Sequence, residues 1–247
     1  MRPSKRALVM FAVLMVIGAQ SADPPLSDTR LTVHTLLRED LFAGFLDNNM
    51  TRLSRAKRNI ETLLRERPSE KANLLAWKAS ADMYRAVLAH ESSKVDEFQR
   101  YFQAAWEGFA EAARLASGNE GVAAITGGTL VLFADRLPAD QRAGAWSQVY
   151  DAYSALWKEQ GPAIEKLPVH FRGEVLAGLA QSAQRLGRTE EATQYVDRIL
   201  ALLPGTPYEP AAKEWKADPA SAARTSLTCK TCHNPGRLSA RLAALGN

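Results

Sequence analysis

Residues 173–204 read GEVLAGLAQSAQRLGRTEEATQYVDRILALLP. Leu176, Leu179, Ala180 and Ala183 fall three and four apart, and so do Ala192, Val196 and Ile199, the spacing that lines one face of a helix. Thr189 is placed to cap a second helix, with Glu190 and Glu191 in its first turn and Pro204-Gly205 at its end. The stretch predicts two helices, at about 168–186 and 189–203, folded back on each other. Small Ala180 and Ala192 stand where the two must approach closely.

The same texture extends from Leu31 to Trp215. Alanine is abundant, β-branched runs are scarce and no alternating strand pattern occurs. Further helices are expected at about 31–47, 51–66, 72–91, 95–116, 120–136 and 139–159, with a short one near 208–216. Asn49 or Thr51 can cap the second, and Asp47-Asn48-Asn49 reads as the turn before it. Pro68, Ser117-Gly118-Asn119, Leu137-Pro138 and Gly161-Pro162 supply the breaks. The expected fold class is all-α.

The hairpin ending at Pro204 resembles a tetratricopeptide repeat, a 34-residue helical hairpin with small or apolar residues at fixed points and a closing proline. With Pro68 in the same role, Gly44, Ala56, Ile60 and Leu63 take the corresponding places in the first hairpin. The middle pairs keep the hairpin but lose the register. The resemblance covers roughly 31–204. It implies a right-handed stack of about four antiparallel hairpins, a solenoid whose concave groove docks a polypeptide.

The N-terminus reads as an export signal. Arg2, Lys5 and Arg6 precede an apolar run of 13 residues, Ala7 to Ala19, and Ala19-Gln20-Ser21 offers small residues for cleavage. The run is short for a membrane span; left uncleaved, it would tether the protein. Without residues 1–21 the chain holds 28 basic and 27 acidic residues, a balance of +1. The basic character is therefore largely that of the leader, and nothing calls for nucleic acid or an anionic surface. The expected location is outside the cytoplasm, in a bacterial periplasm.

Near the C-terminus stands Cys229-Lys230-Thr231-Cys232-His233, with the chain's two cysteines. C-x-x-C-H is the pattern of c-type haem attachment. Two thiols at this spacing can reach two vinyl groups on one porphyrin edge, and the next histidine can ligate the iron from below. Cys229 and Cys232 are thus the expected thioethers of one covalent haem c, and His233 its proximal ligand. A local disulfide is the alternative. Zinc lacks a nearby second ligand pair.

Fourteen residues follow His233, and none is His or Met, so a distal ligand is expected from upstream. The candidates are His170, His90, His34, Met83 and Met50. An open site, or one completed by a partner, is the other possibility. Arg237 and Arg241, in a short helix at 237–245, can face haem propionates or solvent. Residues 22–30 read as a flexible lead-in. Residues 216–228 join the helical domain (31–215) to the haem tail (229–247), as a semi-flexible linker or as a strap along the stack.

Two further features invite either packing or function. Trp146, Tyr150, Tyr153 and Trp157 lie along one helical face, suited to core packing or to a groove. Gly127-Gly128 marks a close helix crossing or a break. The chain has no H-E-x-x-H, G-x-S-x-G or phosphate-loop signature. The sequence therefore suggests an exported monohaem electron-transfer protein, not an enzyme, whose helical domain docks a protein redox partner. A non-haem interaction scaffold is the alternative. A haem sensor or enzyme would need an open distal face.

Overall fold

The computed structural model describes residues 23–227 and 235–246. The expected leader and the motif residues Cys229, Cys232 and His233 lie outside the described residues. The described chain is all-α, with ten α-helices and no strand. They are α1 (Val33–Asp47), α2 (Met50–Glu66), α3 (Lys71–Glu91), α4 (Val95–Leu115), α5 (Glu120–Phe133), α6 (Ala139–Gln160), α7 (Val169–Arg185), α8 (Thr189–Leu202), α9 (Glu209–Ala217) and α10 (Arg237–Leu245). Among the described residues, no helix is long and apolar enough to cross a membrane.

The breaks follow local chemistry. Asn49 caps α2, its Oδ1 accepting from the Arg52 N–H at 3.1 Å, and Asn48 makes the preceding left-handed turn. α5 tightens into a 3-10 turn at Ala134–Arg136 before Leu137-Pro138, and α6 does the same over Gly161–Lys166. Thr189 is not the cap of α8. Gly187 turns left-handed, and the Arg188 N–H closes back on the Ala183 carbonyl at 2.8 Å. That C-terminal turn of α7 leads straight into α8, so Arg188 takes the boundary and Thr189 becomes the first helical residue.

Neighbours in sequence pack as hairpins: α1 with α2, α3 with α4, α5 with α6, α7 with α8. The odd-numbered helices α1, α3, α5 and α7 also touch in succession, and α9 covers α8. The apolar positions of the first and last hairpins are buried, including Ala56, Ile60 and Leu63, and Leu176, Leu179, Ala180, Ala192, Val196 and Ile199. One large apolar cluster runs from α1 to the face of α7 that meets α5; a second joins α7, α8, α9 and the segment after it. α1 and α2 are also tied by charge. Asp40 is buried and takes Arg52 Nε at 2.7 Å and Arg55 Nε at 2.6 Å.

Gly127-Gly128 does not break α5. It is a point of close approach: a Cβ on Gly127 would meet the Tyr153 ring at 3.0 Å. Gly178 on α7 is tighter, with the same ring 2.2 Å from a Cβ. Tyr153 is thus wedged between α5 and α7, and only glycines admit it there.

Residues 216–227 form a strap, not a free linker. Trp215 Nε1 donates to Thr225 Oγ1 at 2.8 Å, Arg185 donates to the carbonyls of Ala222 and Thr225, and Leu227 is buried. Beyond the motif the chain is held again. α10 packs on α1, where the N–H groups of Gly236 and Leu238 each donate to the Glu39 carboxylate at 3.1 Å. That is a carboxylate at the start of a helix, where the backbone donors are otherwise unpaired.

Candidate functional site

The odd-numbered helices enclose a cavity of about 240 Å³. α1 contributes His34, Arg38, Phe42 and Leu46; α3 contributes Trp77; α5 contributes Ile125, Gly128, Val131 and Leu132. α6 contributes Tyr153, and α7 contributes His170, Phe171 and Glu174. An adjoining hollow of about 500 Å³ shares Phe42, Leu46, Val131 and Leu132. Its rim includes Ser226 and Pro235, which stand on either side of the motif in the chain.

Two of the five sequence-predicted distal candidates meet here. His34 accepts a hydrogen bond at Nε2 from Arg38 Nη1 at 3.3 Å, and its ring lies 5.2 Å from that of Trp77. Burial, with Arg38 and His170 adding to it, lowers its pKa to about 4. His170 pairs through Nε2 with Glu174 Oε2 at 3.2 Å, one helical turn on. Its pKa is also lowered, by burial first and then by Arg237 and Arg38. Both rings are therefore neutral at pH 7, the state in which imidazole ligates a metal.

The other three candidates stand elsewhere. Met83 is fully buried in the apolar core. Met50 is 41% exposed at the start of α2. His90 is exposed at the end of α3, its ring 5.7 Å from Phe98. None of them lines the cavity.

Glu174 is the most perturbed carboxyl of the cavity. Burial pushes it up to about 7, against the opposing pull of Arg38 and a hydrogen bond from the Tyr153 hydroxyl. Two polar atoms of this wall, His170 Nδ1 and Trp77 Nε1, are buried without a hydrogen-bond partner, which is uncommon in folded proteins. Among the described residues, no group of three or more His, Cys, Asp or Glu is gathered to hold a metal ion by itself.

The aromatic stripe on α6 divides. Trp146 donates to Asp135 at 2.8 Å, Tyr150 bonds Glu191, and Trp157 meets the Tyr195 ring edge-on at 6.1 Å. Those three pack against neighbours, and Tyr153 alone reaches the cavity. Sequence reasoning missed Glu174, Trp77 and Glu39. The i, i+4 pair His170/Glu174 was visible as a spacing. Glu39 had no such signal, because its partners are backbone N–H groups almost 200 residues away in the chain.

No protein-family model, curated protein or solved structure matches this chain.

Proposed function

We propose that the protein is an exported monohaem c-type electron-transfer protein, with Cys229 and Cys232 holding one haem through thioethers and His233 as its proximal ligand. The observation that carries this reading is the anchoring of both flanks of C-x-x-C-H beside the cavity lined by His34 and His170. On one side Gln181 Oε1 takes the Leu227 N–H at 3.0 Å; on the other, Glu39 takes Gly236 and Leu238. His233 is four residues from Arg237, a reach of at most about 14 Å, and Arg237 is close enough to depress the pKa of His170.

The residues present fit a haem. Phe42, Leu46, Val131, Leu132 and Phe171 give an apolar wall, the two histidines are neutral nitrogen donors, and Arg38 and Arg237 supply cations for propionates. A bound haem would supply one-electron transfer. This chain's own part would be to orient the group and keep water from the apolar wall, with His233 as an imidazole donor. The hairpins, read as a right-handed tetratricopeptide-like stack, would present a surface to a protein redox partner in a bacterial periplasm.

The test is a pyridine haemochrome spectrum of protein made in a host that matures c-type cytochromes. A c-type α band is expected in the wild type and not in Cys229→Ala/Cys232→Ala. Folded, colourless wild type would instead favour an interaction scaffold with a Cys229–Cys232 disulfide.

A further inference from the structure

We propose that the surface of α2, α3 and α4 around Tyr101 docks an acidic partner, a protein segment carrying clustered Asp and Glu, and that Arg85 and Arg100 are its anchors. The inference deepens the docking role proposed above for the helical domain and does not depend on the haem.

Without residues 1–21 the chain is near neutral, at +1, yet its charge is unevenly spread. Lys78, Asp82 and Arg85 stand at i, i+4 and i+7 on α3 and so share one face. Asp82 is buried and takes Lys57 Nζ of α2 at 3.1 Å and Lys78 Nζ at 3.3 Å. One carboxylate thus holds two partly exposed ammonium groups, and a net positive charge is left outside. Farther along α3, the Arg85 guanidinium lies over the ring of Tyr101 on α4, 4.0 Å from its centre. The Arg100 guanidinium lies 4.8 Å from the same centre.

Two like charges therefore converge on one half-buried ring. Among the described residues, neither arginine hydrogen-bonds or ion-pairs with a carboxylate. Other arginines that join helices are tied to acids: Arg52 and Arg55 to Asp40, Arg136 to Glu91, Arg185 to Asp135. Acids beside the patch do not cancel it. Glu97, one turn before Tyr101, pairs with Lys94 at 3.5 Å, and Glu61, one turn beyond Lys57, is exposed. Lys57, Lys78, Arg85 and Arg100 still outnumber Asp82 and Glu61.

An aromatic ring fixes a guanidinium without neutralising it. Each arginine keeps its planar fork of donors, which suits a carboxylate through two parallel bonds. Stacking has already ordered Arg85 and Tyr101, so less side-chain freedom is lost on docking. Tyrosine and arginine are also the residue types that dominate binding at protein interfaces. The cations form a compact cluster interrupted by Asp82 and Glu61, not a stripe that tracks a chain of phosphates. That favours an acidic protein segment over a nucleic acid.

The test titrates full-length protein into a fluorescein-labelled polyglutamate peptide and reads anisotropy. Wild type should bind at low ionic strength and weaken as salt rises. Arg85→Ala/Arg100→Ala should weaken binding by about tenfold or more, and Arg85→Lys/Arg100→Lys should restore only part of it. Tyr101→Leu keeps both charges but removes their platform, and should weaken binding several-fold, whereas Tyr101→Phe should not. Arg114→Ala/Arg198→Ala removes the same charge elsewhere, from a pair with Glu111 and a stack on Trp157, and should change nothing. Circular dichroism checks that every variant is folded. Absence of binding by wild type, or an equal loss in the Arg114/Arg198 variant, overturns the inference. So does tighter binding to duplex DNA or to phosphatidylglycerol vesicles than to the peptide. A pyridine haemochrome on the same samples separates the two readings. Covalent haem without peptide binding overturns this inference alone. Peptide binding without haem overturns the cytochrome reading and leaves this one standing.

Discussion

Two of the hollows differ in character, and the larger of them is not the one that gathers the perturbed histidines. The cleft between α4 and the α5–α6 hairpin encloses about 690 Å³, walled by Trp106, Phe109, Val122 and Leu156. Its charged members, Glu120, Lys158 and Glu159, are exposed at the rim. The cavity among the odd-numbered helices is about a third of that size, yet it gathers His34, His170 and Glu174, with their pKa values displaced. Size reports loose packing between neighbouring hairpins. Desolvated polar groups aimed at one another report a site. The cleft is expected to matter for stability, and the cavity for the proposed haem as well.

The largest effect expected from this contrast is on the cleft side. Phe109 is a buried wall residue on α4. Phe109→Ala should cost about 3–4 kcal/mol of unfolding free energy, measured by denaturant titration. Covalent haem per folded molecule and its visible spectrum should not change. A spectral change would join the two hollows into one functional unit and break the comparison.

Gly178→Ala makes the matching cut on the cavity side. Its Cβ would stand 2.2 Å from the Tyr153 ring, so Tyr153 must move or α7 must back away. Overpacking of this kind costs about 1–3 kcal/mol. Here the loss of stability should come with an altered visible spectrum, because displaced Tyr153 no longer braces Glu174. An unchanged spectrum at reduced stability would show that the brace is unimportant to the haem.

The two hollows also differ in how legible they were. Helix positions could be read because alanine-rich amphipathic periods and proline breaks are local signals, and the boundaries agree within a few residues. The buried face of the last hairpin followed from Leu176, Leu179, Ala180 and Ala183 on α7 and from Ala192, Val196 and Ile199 on α8. The cavity did not follow. His34 and His170 stand 136 positions apart in the sequence, the same offset as Pro68 and Pro204, but that shared register does not say that the two rings line one wall. The glycines were visible, but not what they admit, since Tyr153 reaches Gly127 and Gly178 only once three helices are stacked. The same holds for the strap, whose small polar sequence suited a semi-flexible linker as well as a strap. Its order comes from Arg185, Gln181 and Trp215 on other elements.

The cavity side has a third component, the tail, and Glu39 tests it separately. Burial alone would raise the Glu39 carboxyl, but donation from Leu238, Gly236 and Arg52 outweighs it and leaves the pKa below the ordinary glutamate value. A carboxyl lowered by folding contributes stability that is present above its unfolded pKa and is lost as pH falls through the folded one. α10 should therefore stay docked at neutral pH and loosen in acid, below the usual glutamate range. Glu39→Gln keeps one acceptor oxygen and loses the charge, so it should weaken docking by about 1 kcal/mol at neutral pH and flatten that acid dependence. Amide exchange at Gly236 and Leu238 reads both effects. Exchange that stays pH-independent after correction for the intrinsic rate would mean that other contacts hold the tail.

The smallest effect belongs to a residue that touches neither hollow. Gly144 lies on the exposed face of α6, and a Cβ there would meet nothing within 4 Å. Alanine at an unstrained helical position restricts the unfolded chain and favours the helix, so Gly144→Ala should stabilise by about 0.5–1 kcal/mol. The same helix carries Tyr153 into the cavity and Leu156 along the cleft. If stiffening α6 alone also shifted the haem spectrum, position along the helix would matter less than the helix as a rigid body. If thermal unfolding rises while the spectrum stays fixed, the control of the site is local, exerted at the contacts of Tyr153 with Glu174, Gly127 and Gly178.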